Sequence, residues 1–337
     1  MTNLPKTNFT LWTEDIDSAS ERLTREMGFE LDFVFPADNP RAVGFSRNGF
    51  KVVVRLAPEG SLDGNFDLKA VDDWLPGLDP GDSTAEVLKE GSVEFLISDA
   101  AEGDGITGRA GMSYRDLLPG RLGGLLIASH ISIPEDGPVP DYVHFHRVDF
   151  QLIYCLKGRV LLVYEDQGDP FWLEAGDCVL QPTGIRHRVL EAIGGLEVLE
   201  VSSPAEHLTF AEKTLELPNE KKRLERKFGG QSFARSLARE AVWEDFDEIG
   251  SRRETGIGSD SGVGFTVSVF RLKLGAVAGF PCGDSDRFCY LSKGEIELDF
   301  GNDIRKLQTG DAFFVSKQAP LEYRVEWGEC EVVAVLF

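Results

Sequence analysis

Three histidines of this chain stand at spacings that could place their rings around one metal ion. His144 and His146 are two residues apart, and a β-strand would put both side chains on the same face. His187 follows two turn signals, Gly176-Asp177 and Pro182-Thr183-Gly184, which deliver it into the next strand. Neutral imidazole is a common ligand of divalent transition metals. The sequence therefore predicts one mononuclear site built by these three histidines.

Gln151 is a fourth candidate ligand, five residues after His146 and near the start of a predicted strand from Phe150 to Leu156. Its amide could ligate the ion, hold a water or orient His146. An amide is not an effective general base. In a catalytic metal site with these ligands, proton abstraction would therefore be done by metal-bound hydroxide, by the substrate or by another residue.

These residues together resemble the two sequence motifs of the cupin superfamily. The first motif, HxHxxxx(E/Q)xxxxxxG, runs from His144 to Gly158, and the second, GxxxxxPxGxxH, runs from Gly176 to His187. The chain departs from the usual pattern at Gln151, where the family most often has glutamate. The resemblance implies a jelly-roll barrel that holds one divalent ion through His144, His146, Gln151 and His187.

The predicted ligand set limits the metal without identifying it. Three imidazoles and one oxygen donor suit Fe, Mn, Ni, Zn, Cu or Co, and they leave one or two coordination positions open, as in catalytic sites. Ile153 and Cys155 share the strand face of Gln151, so both, together with Tyr142, are candidate pocket walls. The two other histidines, His130 and His207, are expected to be hydrogen-bonded core or surface residues.

Composition excludes several classes of function. The chain has 337 residues, is 42% hydrophobic and 27% charged, and carries a formal charge of -22, so it should repel nucleic acid and anionic membranes. No run of about 18 apolar residues predicts a membrane helix, and the first ten residues lack a signal-peptide pattern. We expect a cytoplasmic protein without nucleic-acid or membrane partners. Its five cysteines are odd in number and have no metal-site spacing, which favours reduced thiols in a core.

Residues 1–58 predict a small α+β unit of the order βαββ. A strand at Asn8 to Trp12 precedes a helix from about Asp17 to Met27, and Asn48-Gly49 joins two further strands as a hairpin. The unit resembles half of a glyoxalase-type, vicinal oxygen chelate module, without that family's metal ligands. Because half a module leaves an open sheet edge, we expect it to pack on a neighbouring part of the chain or on a second copy, giving a homodimer.

The rest of the chain predicts two β-rich units joined by linkers. Residues 59–111 are rich in Gly, Asp and Pro and predict a linker or excursion; residues 112–210 form the metal-binding barrel. Residues 211–245 form a second linker, in which a basic run predicts a solvated surface. Residues 246–337 repeat the strand and turn pattern, with Gly294 aligned on Gly158 and Gly310-Asp311 on Gly176-Asp177.

This repeat resembles a degenerate cupin barrel. At its four ligand positions the alignment gives Phe280, Cys282, Arg287 and Leu321. Such a set could not hold a divalent ion, because Arg287 is a fixed cation.

The predicted fold class is mainly β, with two cupin (jelly-roll) barrels preceded by the small α+β unit. Resemblance to metal-dependent bicupins implies a dioxygenase that binds a small enolisable or phenolic substrate at the metal and cleaves a carbon-carbon bond with oxygen. Two alternatives stay open. One is a cupin isomerase or lyase, and the other is a non-catalytic protein that binds or senses a small ligand.

Overall fold

A computed structural model describes most of the chain. The described residues are 8–57, 68–70, 95–101, 105–107, 111–246, 250–258, 262–275, 277–279, 285–300, 303–317, 321–326 and 328–337. Phe280 and Cys282, two of the degenerate ligand positions, lie outside them, as does most of the predicted excursion at 59–111.

The described residues are mainly β, which confirms the predicted fold class. The N-terminal unit consists of β1 (Asn8–Thr13), α1 (Ile16–Glu21, continued by a π-helical turn, Arg22–Glu26), β2 (Glu30–Phe35), β3 (Ala42–Arg47) and β4 (Phe50–Leu56). Three short strands follow, namely β5 (Leu68–Ala70), β6 (Phe95–Ser98) and β7 (Ile106–Thr107).

The central unit consists of β8 (Ser113–Asp116), α2 (Arg121–Gly124), β9 (Ile127–Ile133), β10 (Gly137–Pro138), β11 (His144–His146), β12 (Phe150–Tyr164), β13 (Phe171–Glu174), β14 (Cys178–Leu180), β15 (His187–Ser203) and β16 (Thr209–Ala211). The connecting segment holds β17 (Lys227–Phe228), β18 (Gln231–Ser232), β19 (Ala234–Ser236) and a 3-10 turn, Ala238–Glu240.

The C-terminal unit consists of β20 (Glu244–Phe246), β21 (Gly250–Glu254), β22 (Thr266–Leu272), β23 (Val277–Gly279), β24 (Arg287–Lys293), β25 (Glu295–Asp299), β26 (Ile304–Gln308), β27 (Ala312–Val315), β28 (Glu322–Arg324) and β29 (Cys330–Leu336). None of the helices in the described residues is long and apolar enough to cross a membrane.

The N-terminal unit is a four-stranded sheet in the order β2-β3-β4-β1, with β1 parallel to β4. Asp15 begins helix α1, because its carboxylate accepts a hydrogen bond from the backbone N–H of Ser18 at 2.9 Å. Both sheet edges pair with strands of this chain. β1 pairs with β5, and β2 pairs with β16 of the central unit, so this sheet continues into the sheet of the barrel.

The two longest strands of the central unit are β12 and β15. They are antiparallel along almost their whole length, with register shifts between Cys155 and Lys157, between Lys157 and Arg159, and between Leu161 and Leu162. Such bulges bend a strand and increase its twist. The two strands therefore wrap around a core instead of forming a flat ribbon.

The C-terminal unit contains a seven-stranded and a four-stranded sheet, with a buried core cluster drawn from both, including Phe270, Leu298 and Tyr323. Strand β6, from the segment predicted as a linker or excursion, pairs with β27 of this unit. Arg287 and Leu321, two of the degenerate ligand positions, are buried. The cupin character of this unit, the glyoxalase resemblance and the domain boundaries stay predictions.

One hydrophobic cluster joins the central and C-terminal units. It includes Phe150 and Leu152 of β12 together with Phe288 and Tyr290 of β24, and the ring of Phe150 stacks on Phe265 at a centroid distance of 4.3 Å. The two units are therefore packed through buried apolar side chains.

The connecting segment is less solvated than its basic run predicted. Arg223 and Arg226 both form ion pairs with Asp166, whose side chain is buried. A buried carboxylate requires cationic or hydrogen-bonding partners. Part of the basic run is therefore fixed on the barrel.

Two glycines of the predicted motifs allow a matched test of backbone conformation. Gly158 and Gly184 have positive φ angles of 70° and 76°, which cost a residue with a Cβ about 1–2 kcal/mol. A Cβ at Gly158 would also lie 2.5 Å from the carbonyl oxygen of Ile193, whereas one at Gly184 meets nothing within 4 Å. We expect Gly158→Ala to lower the free energy of unfolding more than Gly184→Ala, as measured by urea denaturation. Equal losses would show that the backbone contact at Ile193 contributes nothing.

Candidate metal centre

The structure brings His144, His146 and His187 together. The first two lie at the ends of β11 and the third begins β15, where His144 and His187 are directly paired across the strands. One ligand atom from each ring lies within 4.8 Å of the others, and all three side chains are buried. Within the described part of the chain, this is the one group of three or more His, Cys, Asp or Glu side chains that could hold an ion.

Hydrogen bonds orient each of the three rings. Nδ1 of His144 donates to the carbonyl of Tyr142 at 2.8 Å, and Nδ1 of His187 donates to the carbonyl of Ile185 at 3.0 Å. A carbonyl accepts only, so the proton of each neutral ring stays on Nδ1 and the lone pair of Nε2 can face an ion. The donor set and its orientation therefore fit a divalent metal.

The third ring has a side-chain partner. Nδ1 of His146 lies 2.8 Å from Oγ1 of Thr209, which is buried on β16 and pairs with His146 across the strands. We expect Thr209→Val to weaken metal affinity about 10- to 100-fold, the usual effect of losing the partner of a ligand. Competition with a fluorescent chelator measures the affinity. Thr209→Ser keeps the hydroxyl and serves as the control, and equal affinities in the two variants would contradict this role.

Gln151 lies in the same cavity, and its amide nitrogen donates a 2.7 Å hydrogen bond to Oε1 of Glu200. The amide is buried. Because its nitrogen faces Glu200, its oxygen is the end that can face an ion or a water. The structure therefore links Gln151 to a carboxylate on a neighbouring strand.

Glu200 also lines the cavity and lies outside both sequence motifs. It lies on β15, and its strand neighbours two positions away, Val198 and Ser202, are buried. Val198 also lines the cavity. The signal available in the sequence was a carboxylate between Leu199 and Val201 and two residues after Val198, because a charged residue is rare within an apolar strand segment.

The cavity above the histidines is predominantly apolar, and the space inside it that is open to water-sized molecules is about 100 Å³. Its apolar walls come from β9, β12 and β15 and from the segments next to them, namely Met112, Ile127, Ile131, Ile133, Ile153, Val160, Leu162, Val189, Leu196 and Val198. Among the described residues, its lining contains no lysine or arginine. The site therefore suits a small molecule with an apolar body.

The three candidate wall residues have different positions. Ile153 lines the cavity. Cys155 instead lies in the surrounding core, outside the cavity lining of the described residues, and its thiol contacts the carbonyls of Lys157 and Gly158. Tyr142 is also absent from the cavity lining of the described residues. Its ring centroid lies 5.7 Å from that of His144. Its backbone carbonyl accepts the hydrogen bond that orients the ring of His144.

His130 and His207 also differ. His130 lies on β9 and contacts Glu197 at 3.0 Å, away from the three-histidine group. His207 is hydrogen-bonded to the carbonyl of Pro204, as a core residue would be, yet it lines the cavity and its ring lies 5.4 Å from that of His146. Burial lowers the pKa of His207 below its usual value, so this ring is neutral near pH 7.

The cysteines within the described residues are free and buried. Burial raises the pKa of Cys155 and of Cys178 to about 12. Both thiols are therefore protonated at neutral pH, and neither offers a thiolate to a metal or a substrate.

Three buried, oriented imidazoles line an apolar cavity between strands of the central unit. Residues 130–202, which contain all three histidines, match the family model of the cupin domain. The match and the sheet arrangement support a cupin, jelly-roll fold for this part of the chain. The donor set suits a divalent metal, and the site as a whole supports a metal-dependent cupin.

Solved structures with this fold cover most of the chain. An oxalate decarboxylase from Lactobacillus farciminis, in complex with formate, is 12% identical and has a TM-score of 0.55, over 73% of this chain and 87% of its own. A putative glyoxylate-induced protein from Pseudomonas aeruginosa is 11% identical with a TM-score of 0.53, over 72% and 88%. The protein Ylba from E. coli is also 11% identical, with a TM-score of 0.52, over 72% and 91%. No curated protein matches the sequence.

Proposed function

We propose that this chain is a metal-dependent enzyme, a dioxygenase that acts on a small enolisable or phenolic substrate. The observation that carries the proposal is the combination of the three-histidine group with an apolar cavity that contains the carboxylate of Glu200. A divalent ion held by His144, His146 and His187 would supply a Lewis acid for a substrate oxygen.

Glu200 is the residue that can take a proton from the substrate. Oε1 of its carboxylate accepts a hydrogen bond from Gln151, and the hydroxyl of Ser202 lies 3.3 Å from the same oxygen. These contacts hold the carboxylate in place inside the cavity. An enol or phenol hydroxyl that lies beside Glu200 can therefore give its proton to this carboxylate, a role that Gln151 cannot fill.

The remaining walls position the substrate and exclude water. Hydrophobic side chains, such as Ile131 and Leu162, favour a substrate with an apolar body. Gln181 also lies in the cavity wall, where its oxygen accepts a 2.6 Å hydrogen bond from Tyr164, a residue stacked on His187. This contact fixes the amide of Gln181, so its nitrogen can donate to a substrate oxygen.

The cavity favours such substrates over oxalate, which the name of one structural neighbour mentions. Oxalate is a small dianion without an apolar part. In the described lining no lysine or arginine is available to pair with it, and Glu200 would repel it. We therefore place a β-dicarbonyl or an aromatic diol ahead of a simple dicarboxylate.

Oxygen consumption tests this proposal directly. Protein loaded with Fe(II) should consume oxygen in the presence of at least one member of a panel of β-dicarbonyls and aromatic diols, as followed with an oxygen electrode. Fe(II) with the same panel but without protein gives the background. Absence of oxygen uptake from protein that demonstrably contains iron would contradict a dioxygenase.

The same panel separates the alternatives. Substrate loss under anaerobic conditions would indicate an isomerase or lyase at this site. Binding without any product, followed by calorimetry and chromatography, would indicate a non-catalytic protein that binds or senses a small ligand.

A further inference from the structure

The N-terminal unit is connected directly to the metal centre. Its strand β2 pairs with β16 through Val34 with Thr209 and Phe33 with Phe210. Thr209 is also the residue that contacts Nδ1 of His146 and pairs with it across β11. The N-terminal sheet is therefore only one strand away from the strand that carries two of the ligands.

The segment that follows β2, residues 36–41, lies at the cavity, and we call it the mouth loop. Ala37 and Asp38 of this loop are lining residues. The carboxylate of Asp38 pairs with the guanidinium of Arg121 from the central unit. The loop thus completes a wall that the central unit does not provide by itself.

A second contact fastens the other end of the mouth loop. Arg41 donates two hydrogen bonds of 2.7 Å to the two carboxylate oxygens of Glu206, next to the cavity residue His207. Such bidentate pairs have a fixed geometry. The hydrogen bonds from Arg41 also hold the pKa of Glu206 below its usual value, so the contact persists at neutral pH.

Carboxylates outnumber guanidinium groups around the mouth loop. Arg121 contacts both Asp38 and Asp116, the latter at 3.2 Å, and Arg41 contacts Glu206. Three carboxylates therefore engage two guanidinium groups, and Glu200 adds a further carboxylate in the cavity. The guanidinium groups already have carboxylate partners, so in the metal-free protein an entering anion meets a net negative field.

We propose that the mouth loop is the substrate-selecting wall of the metal cavity, and that it admits uncharged or weakly charged small molecules in preference to anions. This inference rests on the proposed function in one respect, namely that the substrate enters this cavity. It assigns the N-terminal unit a role in specificity instead of a separate activity.

A reporter thiol inside the cavity tests this wall without metal or turnover. Ser129 is buried on β9 and lines the cavity, so Ser129→Cys places a thiol there. Iodoacetamide and iodoacetate are similar in size but differ in charge, and both react with the thiolate. The ratio of the two labelling rates is measured at this position by mass spectrometry. It does not depend on the pKa of the thiol, because both rates are proportional to the same thiolate fraction.

We expect iodoacetamide to label the reporter faster than iodoacetate. The ratio of the two rates should be about tenfold larger in the folded protein than in the unfolded chain, because charged clefts change association rates by about 10- to 1000-fold. Adding Asp38→Ala should raise both rates and reduce the ratio. Asp17→Ala, at an exposed position of helix α1 in the same unit, is the matched control and should change neither. Ala37→Phe adds bulk to the wall and should slow both reagents.

Some outcomes would overturn the inference. Unchanged rates and ratio in both Asp38→Ala and Ala37→Phe, with thermal unfolding showing folded protein, would remove the mouth loop from the path. An equal increase for both reagents in Asp38→Ala would contradict selection by charge. The assay is independent of catalysis, so the expected labelling pattern in a protein without oxygenase activity would contradict only the proposed function.

Discussion

Replacing His146 with alanine is expected to remove most of the metal that the purified protein carries. The side chain is one of three imidazoles within 4.8 Å of one another, and no carboxylate in the described residues is close enough to replace it in that group. Losing even the hydrogen-bond partner of a ligand weakens affinity about 10- to 100-fold, so loss of the ligand itself should cost at least as much. Elemental analysis of protein purified without chelators measures the metal content per chain.

His130→Ala is the matched control for this experiment. His130 is also a partly buried histidine on a barrel strand, but its ring contacts Glu197 and lies outside the group. This variant should keep its metal. Full occupancy in His146→Ala, or an equal loss in both variants, would show that the ligands are misassigned.

Replacing Glu200 with glutamine is expected to lower kcat while the metal content stays unchanged. The substitution keeps the size of the side chain in the cavity but removes the group that takes the proton, and a general base contributes about 10²- to 10⁴-fold to a rate. Steady-state kinetics with whichever panel substrate supports oxygen uptake measures kcat, and elemental analysis measures the metal.

Glu197→Gln provides the comparison on the same strand. Glu197 contacts Lys157 and His130 outside the cavity, so its replacement should leave kcat unchanged. If Glu200→Gln retains the kcat of the unaltered protein, the carboxylate is not the base. If it instead loses its metal, Glu200 acts on the ion and not on the substrate.

The grouping of the three histidines could be predicted from the sequence because it depends largely on local geometry. The two-residue spacing of His144 and His146 fixes a common strand face, and the turns at Gly176 and Gly184 limit where His187 can enter its strand. The mainly β class followed from many short strand patterns with regular turns. None of these inferences needed knowledge of which strands are neighbours.

The positions of Glu200, His207 and Cys155 relative to the cavity could not be predicted from strand alternation or motif spacing. Ile153 and Cys155 share a strand face, yet of the two only Ile153 lines the cavity, because alternation gives the face of a residue but not how far along the strand a cavity extends. Glu200 reaches Gln151 only because β15 pairs with β12. His207 reaches the cavity through the segment before β16, which has no motif.

The sequence by itself determined that the chain is mainly β and which three imidazoles can share an ion, because strand periodicity and turn chemistry act over a few residues. Only the tertiary structure decided that Glu200 lies in the same cavity as these imidazoles and that Asp38, more than 100 positions before His144, forms part of the cavity wall. Contacts between distant segments depend on sheet order and strand register, and the free energy that selects them comes from burial of the whole core.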